Sequence, residues 1–322
     1  MRVLGIGKET SFKSGATPDL WLDLVGHSVS VRRENLWLES AWHRTPHTML
    51  GGPYVAEGDI DLILTPHGTL RLVYLAMGRL ASTEADDDTS PTAWKHDIKI
   101  TDDQLPTAEF DIFFDNYNFK VLGAVVRRLE ISMVARELVA ATVGILGAKV
   151  QVGTGGGSSP AEEKPWYPST VVVKKDGTEI PGKVQAFRLT IENSVADDAH
   201  VLGSLELPNM FTQGVEVSGE IEIQFSDWDE YQSFLGGSEP QQEVSPCFLE
   251  VYIYGDETGS TVADFERHCM KIFLSRCYYT ESDVHFTRRE RVVQRISFKA
   301  ASKIGDVGAP LSIWIYTTRS EP

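Results

Sequence analysis

The sequence predicts a mainly β protein built as two tandem strand-rich halves, each with one short α-helix. Three observations lead there. Apolar residues recur with a period of two along most of the chain, the spacing of a half-buried strand. Helical spacing is confined to two short stretches. A glycine-, serine- and proline-rich segment, GTGGGSSPAEEKPWYP (153–168), separates parts of similar length. It reads as a linker or long exposed loop between a first domain, 1–152, and a second, 169–322.

In the first half, HSVSVRRENL (27–36), GDIDLIL (58–64), EFDIFF (109–114), VRRLEISMV (126–134) and LVAATVGILGAKV (138–150) read as strands. In the second half, VQAFRLTIEN (184–193), GVEVSGEIEIQF (214–225), CFLEVYIYG (247–255), MKIFLSRCYY (270–279) and RVVQRISFKA (291–300) do the same. The first helix candidate is TLRLVYLAMG (69–78), with Thr69 as N-cap and Gly78 as the stop. The second is SDWDEYQSFLGG (226–237). There Ser226 or Asp227 can cap, acids fill the first turn, and Gly236-Gly237 end the helix.

Composition narrows the function. The chain has 322 residues with 42% hydrophobic content, ordinary for a folded protein. Lys+Arg number 30 against 46 Asp+Glu, a formal net charge of −16. That argues against phosphate-backbone binding, which needs basic side chains to release counterions, and equally against an anionic membrane surface. Cys247, Cys269 and Cys277 lack C-x-x-C spacing, so they read as buried small apolar residues in a reducing compartment. The N-terminal MRVLGIGKE has too short an apolar run for a signal peptide, and no stretch approaches the ~20 apolar residues of a membrane span. Synthesis and folding in the cytoplasm are expected.

The halves echo each other. SVSVRREN ends at Glu34-Asn35 and AFRLTIEN at Glu192-Asn193, 158 residues on. Each precedes an irregular, proline-containing stretch. GDIDLIL then matches GEIEIQF (219–225), with 161 residues between Gly58 and Gly219, and a short helix candidate follows each. The order suggests a duplicated unit.

Chemistry finds little support. Asp59/Asp61 and Glu220/Glu222 stand two apart on strands, ~6–7 Å by strand geometry, near a glycosidase carboxylate separation. Side chains on one strand, however, point in parallel and leave no place for a sugar. His43 and His47 have metal-like spacing, but Pro46 makes the segment a loop and no further ligand is near. His268 and Cys269 are sequence neighbours whose side chains diverge, against a Cys–His nucleophile. GTGGGSS lacks the Lys-Ser/Thr of a phosphate loop, and Pro160 follows it. The basic run FTRRERVVQRISF (286–298), with Arg289, Arg291 and Arg295, reads as a strand whose polar face meets acids of a neighbouring subunit or sheet. Neither catalysis, cofactor nor metal is expected.

The stretch GIGKETSFKSGATPDLWLDL (5–24) resembles the N-terminal signature of tail tube proteins of long-tailed bacteriophages. The matching positions are Gly5, Gly7, Glu9, Thr10, Phe12, Gly15 and Pro18, with Lys13 and Ser14 intervening where the family commonly has a glycine after the aromatic. The core strands around Gly58 and Gly219 are similar too, and the likeness runs in outline over the whole chain. The resemblance implies β-sandwich or barrel tube domains, each with a flanking helix. Their sheets join edge to edge between subunits, rings stack into a tube, and DNA passes through the lumen at ejection. It also implies partners: further copies of the chain, a tape measure protein, and tail terminator and distal tail proteins, all in the virion tail.

Two tube domains per chain imply three copies per ring, although a hexamer of a single larger domain stays open. A conduit should not hold its cargo, so aligned carboxylates suit the wall. Asp59, Asp61, Glu220 and Glu222 are the candidate lumen-lining acids, though a strand's two faces alone do not separate lumen from outer solvent. Trp37, Trp42, Tyr54, Phe211 and Trp166 are the candidate assembly aromatics. The loops 36–57 and 194–218 and the N-terminal arm 1–24 are candidate ring contacts. Deleting 1–15 is expected to leave a folded monomer. The competing reading is a monomeric two-domain β-sandwich that binds carbohydrate on Trp166, Tyr167 or Trp228.

Overall fold

A computed structural model describes residues 2–39, 42, 45–46, 48–85, 92–180, 184–242, 244–285, 292–302 and 310–322. The first half contributes β1 (Arg2–Lys8), β2 (Leu20–His27), β3 (Ser30–Leu38), β4 (Thr48–Ile63), α1 (Pro66–Met77), β5 (Gly78–Glu84) and β6 (Trp94–Ile100). It continues with β7 (Ala108–Phe114), β8 (Tyr117–Val134), β9 (Ala140–Gly147) and β10 (Lys149–Thr154). The second contributes β11 (Val171–Lys175), β12 (Thr178–Glu179), β13 (Val184–Ala196), β14 (Phe211–Gln224), α2 (Asp229–Leu235), β15 (Cys247–Glu257), β16 (Arg267–His285), β17 (Val293–Ala300) and β18 (Leu311–Thr317). The protein is mainly β, with two helices as expected. Each predicted strand is present, the 138–150 run as two strands that part at Ala148. Much of the two expected long loops is strand as well, because β3 and β4 pair out to Leu38 and Thr48 and β14 begins at Phe211.

The strands form two layers. The inner sheet runs β3-β4-β9-β8-β13-β14-β17-β16, every neighbour antiparallel. The outer layer of the first half is β2-β1-β7-β8-β10. That of the second is β12-β11-β15-β16-β18-β6-β5. The long strands β8 and β16 belong to both layers. Residues 117–124 of β8 pair outside and 125–134 inside. Residues 267–277 of β16 pair outside, and the rest inside.

Between the layers lies the main apolar core, which includes Ile60, Leu62, Val143, Leu129, Leu189, Ile221 and Ile296 of the inner sheet; a second, smaller cluster gathers Val55, Val125 and Leu146 with Leu207 and Met210. The main core also draws on β1, whose Val3, Leu4 and Ile6 are buried. β1 is therefore a central strand paired on both sides. The expectation that residues 1–15 can be removed without unfolding is corrected: the deletion would strip core side chains and two ladders.

Helix α1 starts earlier than its sequence spacing suggests. Thr65, not Thr69, is the N-cap: its Oγ1 accepts from the Gly68 N–H at 3.3 Å, and Pro66 follows at the first helical position. Thr69 lies inside, donating its hydroxyl to the Thr65 carbonyl at 2.7 Å. Gly78 ends the helix as expected, at φ 86°. In α2 the N-cap position falls on Trp228, not on Ser226 or Asp227 as expected, and carries no side-chain cap bond; the Asp227 carboxylate accepts from the Asp229 N–H at 3.3 Å just before it, and Gly236 closes the helix in the left-handed region.

Trp166 is corrected as well. Expected on the surface, it is 0% exposed. Its indole N–H donates to Thr69 Oγ1 at 2.8 Å, and its ring packs close to Gly255 of β15. The glycine-rich segment thus ends in an anchor, and Trp166 can serve neither as an assembly contact nor as a sugar platform. All three cysteines are buried and free.

Candidate functional site

Strand parity puts one face of the inner sheet in the core and the other in solvent, except where Val55, Val125 and Leu146 of the second face are buried against Leu207 and Met210. In β4, Ile60 and Leu62 point inward, so Asp59 and Asp61 point out. In β14, Ile221 and Ile223 point inward, so Glu220 and Glu222 point out. Cross-strand pairing carries both pairs onto a single surface. Asp61 lies opposite Thr142, Thr142 opposite Glu130, and Glu130 opposite Thr190 of the second half. The four acids named from the sequence therefore share one face of one continuous sheet.

That face is acidic but braced by bases. Arg295 of β17 reaches Glu220 at 3.0 Å and Glu222 at 3.5 Å; these acids belong to the next strand of its own sheet, not to a neighbouring subunit or sheet as expected. Arg289 and Arg291 lie outside the described residues. Lys299 meets Glu216 at 2.7 Å, and Arg128 meets Glu130. Asp61 accepts from the Thr142 hydroxyl at 2.7 Å. Among the described residues, neither Asp59 nor Asp61 is in an ion pair.

The glycine that precedes each acidic run has a steric cause. A Cβ on Gly58, at φ 151°, would come within 2.5 Å of Val29 Cα; one on Gly219 would come within 2.3 Å of the Arg188 carbonyl.

Bulges show how far the halves match. The β8–β9 register breaks between Val126 and Arg128, and β16–β17 breaks between Tyr279 and Glu281. The β7–β8 register breaks between Ala108 and Phe110, and β15–β16 between Cys247 and Leu249. β13 matches the end of β2 together with β3: breaks fall at Leu24/Gly26 and Val184/Ala186, and again at Arg33/Asn35 and Ser194/Val195. This alignment sets Arg33 on Asn193, 160 residues on, so the Glu34-Asn35 and Glu192-Asn193 match is out of register by two. Asn193 shows why that matters. Buried, its Nδ2 donates to the Ala76 carbonyl at 3.0 Å and the Val126 carbonyl at 2.9 Å, tying α1 to β8. Asn35 sits on the exposed β3.

Among the described residues, no strand pairs with the outer edge of β3, nor with the free side of β16 beyond Cys277. Sequence reasoning missed both edges. The β3–β4 hairpin also carries the apolar surface: Trp37 is 58% and Trp42 89% exposed, beside Leu36, Leu38 and Leu50. Phe211 is exposed too, whereas Tyr54 is half-buried with its hydroxyl 3.4 Å from Glu206. His43 and His47 lie outside the described residues.

The N-terminal signature folds around one carboxylate. Buried Glu9 accepts from the backbone N–H groups of Gly15 at 3.2 Å, Gly123 at 3.0 Å and Lys13 at 3.3 Å. Gly15 takes φ 71°, and a Cβ on Gly7 would strike the Ala16 carbonyl at 2.9 Å. The arm is completed by Asp19, gripped by buried Arg71 of α1 at 2.9 and 2.7 Å and by Arg319 at 2.5 Å.

A sheet open at both ends among the described residues, with an acidic face and an exposed apolar hairpin, defines a class: wall-forming structural subunits that neighbours complete. The chain belongs to the phage tail tube protein family, whose model matches residues 1–300. No curated protein matches it at a significant level. It is a structural protein of the bacteriophage virion, located in the tail, and its family assembles with itself into the tube and meets other tail proteins.

Proposed function

We propose that three copies of this chain form one pseudo-hexameric ring of the tail tube, each half serving as one tube domain, without catalysis. The observation that carries the reading is the inner sheet: one continuous eight-stranded surface (β3-β4-β9-β8-β13-β14-β17-β16), open at both ends and repeated within the chain. Three such sheets, at ~4.8 Å per strand and a typical ~40° tilt, enclose a barrel roughly 45–50 Å across between backbones, wide enough for a DNA duplex.

The outer layer and α1 lie on the core side of this sheet, so a closed barrel would turn the acidic face toward the lumen. Asp59, Asp61, Glu220 and Glu222 then line the channel. They repel phosphates during ejection, while Arg295 and Lys299 moderate the field. Trp37, Trp42 and Phe211 sit where stacked rings would meet. The tape measure protein occupies the same channel before DNA, and terminator and distal tail proteins cap the ends.

Negative-stain imaging and native mass measurement of the purified protein test this. Rings or tubes whose repeating mass is three chains are expected. Compact monomers at high concentration would overturn it and favour a two-domain binding module.

A further inference from the structure

The joint between the two halves is itself a specimen of a strand-to-strand contact between tube domains. In it β8 meets β13 with Arg128 opposite Glu192, Leu129 opposite Ile191 and Glu130 opposite Thr190. The matching bulges carry Arg128 onto Glu281 and Glu130 onto Asp283 of β16. They carry Glu192 onto Arg32 and Thr190 onto Ser30 of β3. The edges of β8 and β13 are occupied by each other, and their counterparts on β16 and β3 are the open ones.

We propose that a second copy of this chain docks its β3 on β16 in the register set by the internal joint. Arg32 of one copy then lies opposite Glu281 of the next, Val31 opposite Ser282, and Ser30 opposite Asp283. This rests on the tube-wall reading above and adds the register and its selectivity.

The charges are reversed between the two joints. Inside the chain the long strand carries the arginine and its partner the glutamate; between copies the long strand carries Glu281 and its partner Arg32. The wrong pairings put like charges face to face. β8 against the β3 of another copy sets Arg128 on Arg32, and β16 against another β13 sets Glu281 on Glu192. Like charges directly opposite are destabilising, so the reversal makes first and second halves alternate around the ring. Arg32 is exposed and already held by Glu57 at 2.9 Å and Asp197 at 2.5 Å, which aims its guanidinium before a partner arrives.

Paired cysteines read the register directly. Ser30→Cys with Asp283→Cys places two exposed thiols opposite each other only across the proposed joint. The native thiols will not compete: burial pushes Cys269 up to about 12 and raises Cys247 and Cys277. A short bifunctional thiol reagent is expected to give a covalent ladder ending at three chains. Separately, Glu281→Arg should raise the concentration for half-maximal assembly about tenfold, since it replaces an opposite-charge pair with a like-charge one at every joint of the ring. Adding Arg32→Gln should recover most of that loss, although Arg32→Gln alone weakens assembly. Rings that form without the 30–283 cross-link, and that ignore Glu281→Arg, would overturn the register while leaving the tube-wall reading intact. Absence of rings from the unaltered protein would overturn both.

Discussion

The two halves agree in the inner sheet and disagree outside it. Strand for strand, β2/β3, β4, β8 and β9 match β13, β14, β16 and β17, bulges included. The helices do not match. α1 has 12 residues, most of them buried, while α2 has 7 and buries none. A hairpin, β5–β6, follows α1 and joins β18 of the other half; among the described residues, no strand separates α2 from β15. The difference teaches where constraint lies. An inner strand must meet a neighbour on each side in fixed register, and a slip of one residue flips every side chain to the other face. An outer helix need only cover the apolar surface beneath it. α1 does so beneath both halves, against β8, β16 and β18.

The largest test sets Trp166 against Trp228. Trp166→Ala empties a fully buried site under α1 and should cost about 4 kcal/mol in denaturant unfolding. Trp228→Ala, on exposed α2, should stay within about 0.5 kcal/mol. Equal effects would mean that the two helices carry similar weight.

Acid should act on the α1 side alone. Burial holds His67 down from 6.5 to about 4, helped by His268, Arg319 and His96, so its contact with Glu163 at 3.3 Å joins a neutral imidazole to the carboxyl. The unfolded chain takes up this proton first, so stability is full above pH 6.5 and falls as pH drops toward about 4. The loss is on the order of 3 kcal/mol. Glu163, raised by its own burial, offsets part of it. The pH slope of the melting curves should become shallower in His67→Gln, with His96 and His268, also held down by burial, supplying the remainder; an unchanged slope would exclude His67 as a source.

A smaller contrast lies between structural equivalents. Asn193→Ala removes two buried hydrogen bonds and should cost about 2 kcal/mol, against about 0.5 kcal/mol or less for Arg33→Ala. Smallest is the contrast between the Thr65 cap and the Asp227 turn that precedes α2. Thr65→Ala should cost about 1 kcal/mol and Asp227→Ala a few tenths, both by thermal melting.

The inner strands were legible because one wet face and one dry face write a strict alternation, as in GDIDLIL and GEIEIQF. What failed was decided by tertiary contact. Trp166 sits between Pro165 and Pro168 in a polar stretch, and only the fold brings Thr69 and Gly255 around it. The repeated Glu-Asn pair misled by two residues because such an error preserves face parity, so the pattern looked right while the partners were wrong. The shared face of the four acids was readable, but the edges were not: whether a strand has one neighbour or two depends on strands far away in sequence. Glu281 and Asp283 could have been found by aligning RRLEIS with TESDVH across the halves, had the bulges been known.

The long strands β8 and β16 pass from one layer to the other without a break in the backbone. Force applied to the inner wall therefore reaches the outer layer as tension along covalent bonds, whereas two separate sheets would share it only through side-chain packing. Under any load along the sheet such crossings act as ties, and they lie at the same place in each half.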